Sequence, residues 1–154
     1  MRLRLTVLGA FEARLAPEAA LTVPGKKARA LLGYLAVRAG QPCPRDTLAT
    51  LLWAEGGDTD ARTSFRQCLA SLRRTLAAVP SALVIEGKKV TLSPEYADVD
   101  ARTFERRVAD GTPAALEEAA ALYAGDLLEG FESIAAPFEE WLIPERERLR
   151  ELAL

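Results

Sequence analysis

The stretch 61–76, ARTSFRQCLASLRRTL, constrains the fold of this chain more than any other. Ala61, Phe65, Cys68, Leu69, Leu72 and Leu76 recur at helical spacing, so one side of a helix can be buried. At about 100° per residue, Thr63, Arg66, Gln67, Ala70, Arg74 and Ala77 fall on the far side, with Arg62 and Arg73 at its border. That far side is cationic, offers flat amide and guanidinium donors, and holds no acid. Two readings follow from the helix alone: a solvated amphipathic surface helix, or a recognition helix facing the major groove of DNA. The flanking segments have to decide between them.

Upstream, Lys26–Ala39 has a helical apolar stripe of Ala28, Leu31, Leu32, Leu35 and Ala36, and Gly40 stands where such a helix stops. Lys26, Lys27 and Arg29 crowd its first turn, against the helix dipole, so they are either a solvated basic turn or the neighbours of an anion. A second helix is expected from Pro44 to Trp53, with Pro44 as the first helical residue. Gly56-Gly57 breaks it, and Asp58 or Asp60 can cap the helix that follows. Two helices joined by a short Gly-containing turn, the second with a basic face, is the helix-turn-helix order. Downstream, Leu83–Glu86 and Lys89–Leu92 flank Gly87-Lys88 and predict a β-hairpin. A hairpin in this place is a wing, and Lys88 and Lys89 are its candidate phosphate contacts.

The N-terminus reads as a small antiparallel meander: Arg2–Leu8 alternates with period two, Phe11–Leu15 follows Gly9-Ala10, and Leu21–Val23 follows a loop containing Pro17. Charge divides the chain. Residues 1–96 carry 14 Lys and Arg against 8 Asp and Glu, a net of +6, whereas residues 97–154 carry 6 against 14, a net of −8. A basic module with a polyanionic partner, followed by an acidic module with another task, is the expected layout.

Strands, three helices and a wing, in that order, resemble the OmpR/PhoB-type winged-helix domain. VLGAFEARL, KKARALLGYLAVRAG, DTLATLLW and ARTSFRQCLASLRRTL together are similar to the actinobacterial antibiotic-regulatory (SARP) family of activators, over roughly residues 3–93. The segments after them resemble the opening of the bacterial transcriptional activator domain, a helical TPR-like module, chiefly through LYAGDLLEGF and FEEWLIPERERLREL. The residues predict helices over Asp98–Ala109, capped by Asp98 or Asp100, and over Pro113–Ala124, with Leu116, Ala119, Ala120 and Tyr123 on one face. A third is expected from Pro137 onward, kinked or restarted at Pro144, with Phe138, Trp141, Leu142, Leu149 and Leu152 seeking a partner surface. The fold class is therefore expected to be α+β, with 1–95 a winged helix carrying an N-terminal antiparallel sheet. The all-α remainder, 96–154, is expected to be an incomplete TPR-like module in a piece of a longer protein or a shortened family member.

The chain has no histidine, which removes Ser–His and Cys–His catalysis and His-based metal sites. It has no Gly-rich phosphate loop, and Cys43 and Cys68 have no metal or disulfide spacing and read as small fillers. No enzyme, cofactor or metal is expected. A carboxylate hydrolase is a distant alternative, since Glu117/Glu118 and Glu139/Glu140 look like solvated helix faces. With no signal peptide and no apolar run near the ~20 residues of a membrane span, the expected place is reducing cytoplasm, on the nucleoid and off the membrane.

Double-stranded DNA is the expected partner. Arg66 and Arg74 are candidate guanine readers, Gln67 a candidate adenine reader, and Thr63 and Arg62 candidates for base edge or phosphate. Arg73 is expected on phosphate or on an acid of the wing, and Lys88, Lys89, Lys26 and Lys27 on phosphate. The family resemblance implies binding of promoter direct repeats as a homodimer and contact with RNA polymerase holoenzyme. It also implies control without the receiver domain that commonly precedes this kind of winged helix. The competing class is a protein-interaction adaptor that uses the winged helix and the acidic helices without DNA.

Overall fold

The computed structural model describes residues 2–16 and 19–154, together with their side chains except those of Ala16 and Asp58. The expected loop at Pro17 therefore lies outside the described residues, as does Asp58 as a capping side chain. The first sheet contains β1 (Arg2–Thr6), β2 (Glu12–Ala16) and β3 (Ala19–Leu21), each antiparallel to the next. Alternation builds it: Leu3 and Leu5 are fully buried while Arg4 between them is exposed. The third strand lies two residues earlier than expected, and Val23 is instead a buried packing residue beyond it.

Three helices follow: α1 (Lys26–Val37), α2 (Arg45–Trp53) and α3 (Gly57–Thr75). Pro44 is not the first residue of α2. It occupies the N-cap position in extended conformation and belongs, with Cys43, to a two-residue strand β4. Between α2 and α3 the chain makes one tight turn, Ala54–Gly56, and α3 begins four residues ahead of Ala61. Gly56 takes the N-cap position, no side chain caps the helix, and Asp60 lies inside its first turn.

The hairpin matches the expected bounds: β5 (Leu83–Glu86) and β6 (Lys89–Leu92) pair in register Glu86↔Lys89 to Leu83↔Leu92. On its other side β6 pairs with β4, giving a three-stranded wing sheet in the order β4-β6-β5. The fold is α+β, a winged helix-turn-helix behind an N-terminal sheet, with helices after the wing.

The acidic remainder enters the first sheet before it becomes helical. Ala97–Val99 forms β7, an unanticipated strand that runs parallel to β1 and makes the order β3-β2-β1-β7. Neither Asp98 nor Asp100 caps α4 (Asp100–Asp110), whose N-cap is Val99. Asp98 sits on β7 and pairs with Arg2 at 2.6 Å. Asp100, the first helical residue, accepts the N–H groups of Val7 at 2.8 Å and Leu8 at 3.1 Å, which closes the end of β1.

α5 (Pro113–Leu122) is capped by Thr112, whose hydroxyl accepts the Ala115 N–H at 3.2 Å. The helix is rotated from expectation, because Ala115 and Ala119 are buried while Leu116 and Ala120 face solvent. α6 (Ala136–Leu152) is a single helix assigned across Pro144, so the proline does not restart it. Phe138, Leu142 and Leu149 are fully buried, Trp141 is half-buried, and Leu152 is exposed.

One hydrophobic core joins these parts. Leu128 holds a positive φ of 51° and is fully buried against α1 at Gly33, where an added Cβ would stand 2.8 Å from a Leu128 methyl. Its backbone N–H donates to Val7 O at 2.8 Å. Arg146 of α6 fastens the same loop by donating to the carbonyls of Leu127 and Leu128, both at 2.7 Å, and pairing with Glu132 at 2.9 Å. Tyr34 of α1 meets Trp141 edge-on with ring centroids 4.6 Å apart, and the start of α6 packs on α2, with Pro137 beside Leu51.

The two aspartates at the sheet end respond to acid in opposite directions. The hydrogen bond from Arg2 holds Asp98 below its ordinary 3.8, so the stability it contributes is present above that value and is lost as pH falls through the depressed one. Burial raises Asp100 despite its N–H partners, so its contribution is greatest below 3.8 and is lost as pH rises through the raised value. In a series of urea midpoints against pH, Asp98→Asn is expected to remove part of the acid-side loss. Asp100→Asn is expected to remove a gain seen on acidification from neutrality. If both variants track the parent at every pH, the sheet end does not couple to protonation.

Candidate nucleic-acid interface

α3 stands with its apolar side on the core, where Ala61, Phe65, Leu69, Leu72 and Leu76 are buried. Thr63, Arg66, Gln67, Arg73 and Arg74 are exposed. Helical geometry sorts the exposed residues into two stripes, each about 40° wide. Thr63, Gln67 and Arg74 lie directly opposite the core. Arg62, Arg66 and Arg73 lie on the flank. Cys68 is half-buried against the core, and burial pushes its thiol up to about 11, which leaves it protonated and unreactive near neutral pH.

The flank stripe borders two concavities. The first is an open cleft of about 540 Å³ lined by Pro44, Arg45, Asp46, Ala49, Arg62, Phe65, Arg66 and Lys88. It brings the start of α2, the first half of α3 and the hairpin tip together around a rim with four cations. Lys88 is placed there by the backbone, since the Arg45 N–H donates to Lys88 O at 2.8 Å where β4 meets β6. Asp46 is the one acid on the rim, 3.6 Å from the Arg62 guanidinium. The second concavity, of similar size, lies at the other end of α3, where Arg73 and Arg74 face Pro80 and Leu83 at the base of the hairpin.

The remaining candidates are not gathered into these clefts. Lys89 is adjacent to Lys88 in sequence but lines a separate depression with Glu86 and Glu95. Lys88 belongs to the turn, whereas Lys89 is the first residue of β6. Lys27 is half-buried with its ammonium 5.5 Å from the centre of the Trp53 ring, a cation–π contact that occupies it inside the helix bundle. Lys26 is exposed on α1. The Thr63 hydroxyl donates to Thr59 O at 3.1 Å, so its proton is committed to the helix and its methyl is what it offers outward. Arg73 forms no ion pair with an acid of the wing among the described residues.

Arg45 is the site residue that sequence reasoning missed. It lines the first cleft, and its Nε is buried without a hydrogen-bond partner among the described residues. The local signal was slight, a basic residue directly after a helix-initiating proline. Its proximity to Lys88 depends on strand pairing across 43 residues. No group of His, Cys, Asp and Glu suited to a metal ion occurs among the described residues, and no helix among them is long and apolar enough to cross a membrane.

No family model matches the chain, and no curated protein matches it either. Among solved structures it is similar to EmbR of Mycobacterium tuberculosis, in a complex with a low-affinity phosphopeptide, with a TM-score of 0.76 at 21% sequence identity. The superposition covers 99% of this chain and 42% of that one, so the chain spans less than half of EmbR's length. At that identity the likeness is one of fold: the sheet, the helix-turn-helix, the wing and the helices behind them are arranged in the same way.

Proposed function

We propose that this chain is a sequence-specific DNA-binding transcriptional regulator of SARP type. The observation that carries the reading is the first cleft, where the exposed Arg62 and Arg66 of α3, Lys88 at the wing tip and Arg45 of α2 converge on one open surface of a winged helix. Such a surface meets the duplex with a helix in the major groove and the hairpin against the backbone. Gln67 and Arg74 read base edges from the centre of the outward face, with the Thr63 methyl one turn before Gln67 on the same stripe. Arg66 reaches the groove from the flank. Residues 1–95 form the reading unit, and the acidic helices of 96–154 serve as the TPR-like surface that contacts RNA polymerase. The protein acts as an activator and binds direct repeats as a homodimer, in the cytoplasm and without cofactor.

Titration of labelled duplexes between 50 and 200 mM salt tests this reading. Affinity is expected to fall about three- to fourfold for each phosphate engaged. Selection from a random duplex pool is expected to enrich one motif. Lys88→Gln is expected to weaken all duplexes alike and lower the salt slope by about one unit, and Lys89→Gln to do less. Absence of duplex binding at 50 mM salt would rule out DNA recognition in favour of the adaptor.

A further inference from the structure

The first cleft is more than a basic patch, because its lining is partly apolar. Pro44 and the buried Ala49 and Phe65 line it together with Arg45, Arg62, Arg66 and Lys88. A sugar–phosphate unit has matching chemistry, a deoxyribose with an apolar face beside a fully ionised phosphate. Arg45 and Lys88 sit on opposite sides of the β4–β6 pairing, and the hydrogen bond from Arg45 N to Lys88 O fixes their separation before any ligand arrives. Only Asp46 opposes an anion here. Its carboxylate faces Arg62 at 3.6 Å, and both side chains are mostly exposed.

We propose that this cleft seats one sugar–phosphate unit of the DNA backbone, held by Arg45, Arg62 and Lys88, and that Asp46 weakens this hold on DNA of every sequence. The proposal rests on the DNA-binding reading and adds Asp46 to it. A phosphate contact is equally favourable on every sequence, so its strength sets how tightly the protein is held on DNA of any sequence. Asp46 acts against that in two ways, by neutralising Arg62 when DNA is absent and by repelling the incoming phosphate when it is present. Base contacts on the outward face of α3 are untouched, so the ratio of target to non-target affinity stays the same. Asp46 also lies in the first turn of α2, where an acid complements the helix dipole. Its loss on that account alone would lower stability without strengthening any complex.

The experiment compares the full chain with Asp46→Asn and Arg45→Gln on two duplexes, the motif recovered from the random pool and a scrambled one, over a salt series. Asp46→Asn is expected to raise affinity for both duplexes roughly three- to tenfold, as removal of one opposing charge near a phosphate implies. That gain cannot come from a damaged fold. Arg45→Gln is expected to weaken both duplexes equally and to lower the salt slope by up to about one unit, leaving the enriched motif the same. A methylphosphonate scan of the motif duplex should find one position where the parent loses affinity and Arg45→Gln loses none further. Unchanged or weaker binding by Asp46→Asn overturns the role of Asp46. No single position that couples to Arg45 overturns the seat while leaving DNA recognition intact, whereas a parent that binds neither duplex removes the reading and the seat together.

Discussion

Phe138→Ala is expected to lower the stability of this protein by about 3–5 kcal/mol, a large part of the 5–15 kcal/mol that holds a typical domain together. Phe138 is fully buried and its ring lies 5.5 Å from that of Trp141, which meets Tyr34 on α1. Truncation opens a cavity at the seam between α6 and α1, which cannot close without moving one of the two helices. Urea unfolding followed by tryptophan emission measures the loss. Ile143, one turn along the same helix and 60% exposed, provides the control, and its change to Ala should stay within about 0.5 kcal/mol. Equal midpoints for Phe138→Ala and the parent would mean that α6 is not part of the common core.

The second large effect concerns recognition. Arg66→Ala and Arg74→Ala should each lose about 1–3 kcal/mol of discrimination, at different base pairs of the selected motif. The two residues are eight positions apart on α3, about 12 Å along its axis, so they cannot read the same pair. Their losses in the double variant should accordingly add within about 0.5 kcal/mol. Arg73→Ala, on the flank, should weaken all sequences alike. Competition between single-base variants of the motif separates these outcomes. If Arg66→Ala and Arg74→Ala both keep the parent's base preferences, the reading helix has been assigned wrongly.

What could be read from the residues alone followed local periodicity. The wing hairpin was legible to the residue because two short apolar runs flank Gly87, whose positive φ of 59° suits the turn. The apolar face of α3 was legible because Phe65, Leu69, Leu72 and Leu76 repeat at helical spacing beside a polar face. Where periodicity gave out, so did the reading. α5 is too rich in alanine for its sequence to fix its rotation, and the large residue on the assumed inner face, Leu116, proved to be outside. β7 is three residues long, and its only reason to be a strand is β1, from the other end of the winged helix. The same holds for the site. The outward arginines were visible as a face, but Arg45 joins them through pairing between segments far apart in sequence, and Lys89, the first residue of β6, lines a different depression from the turn residue Lys88.

The parallel β1–β7 pair has a consequence for how the protein is made. A ribosome releases β1 first, and one of its two flanking strands is not available until Val99 has emerged. By then all three helices of the helix-turn-helix region and the whole hairpin have left the tunnel. For that interval the nascent chain carries an open sheet edge, the kind of surface that pairs with foreign strands, and closing it needs a contact across most of the winged helix, which is slow. The helix-turn-helix and the hairpin are thus translated well before the strand that completes the first sheet, and the waiting strand carries charges at Arg2 and Arg4, the kind of residue that discourages foreign pairing.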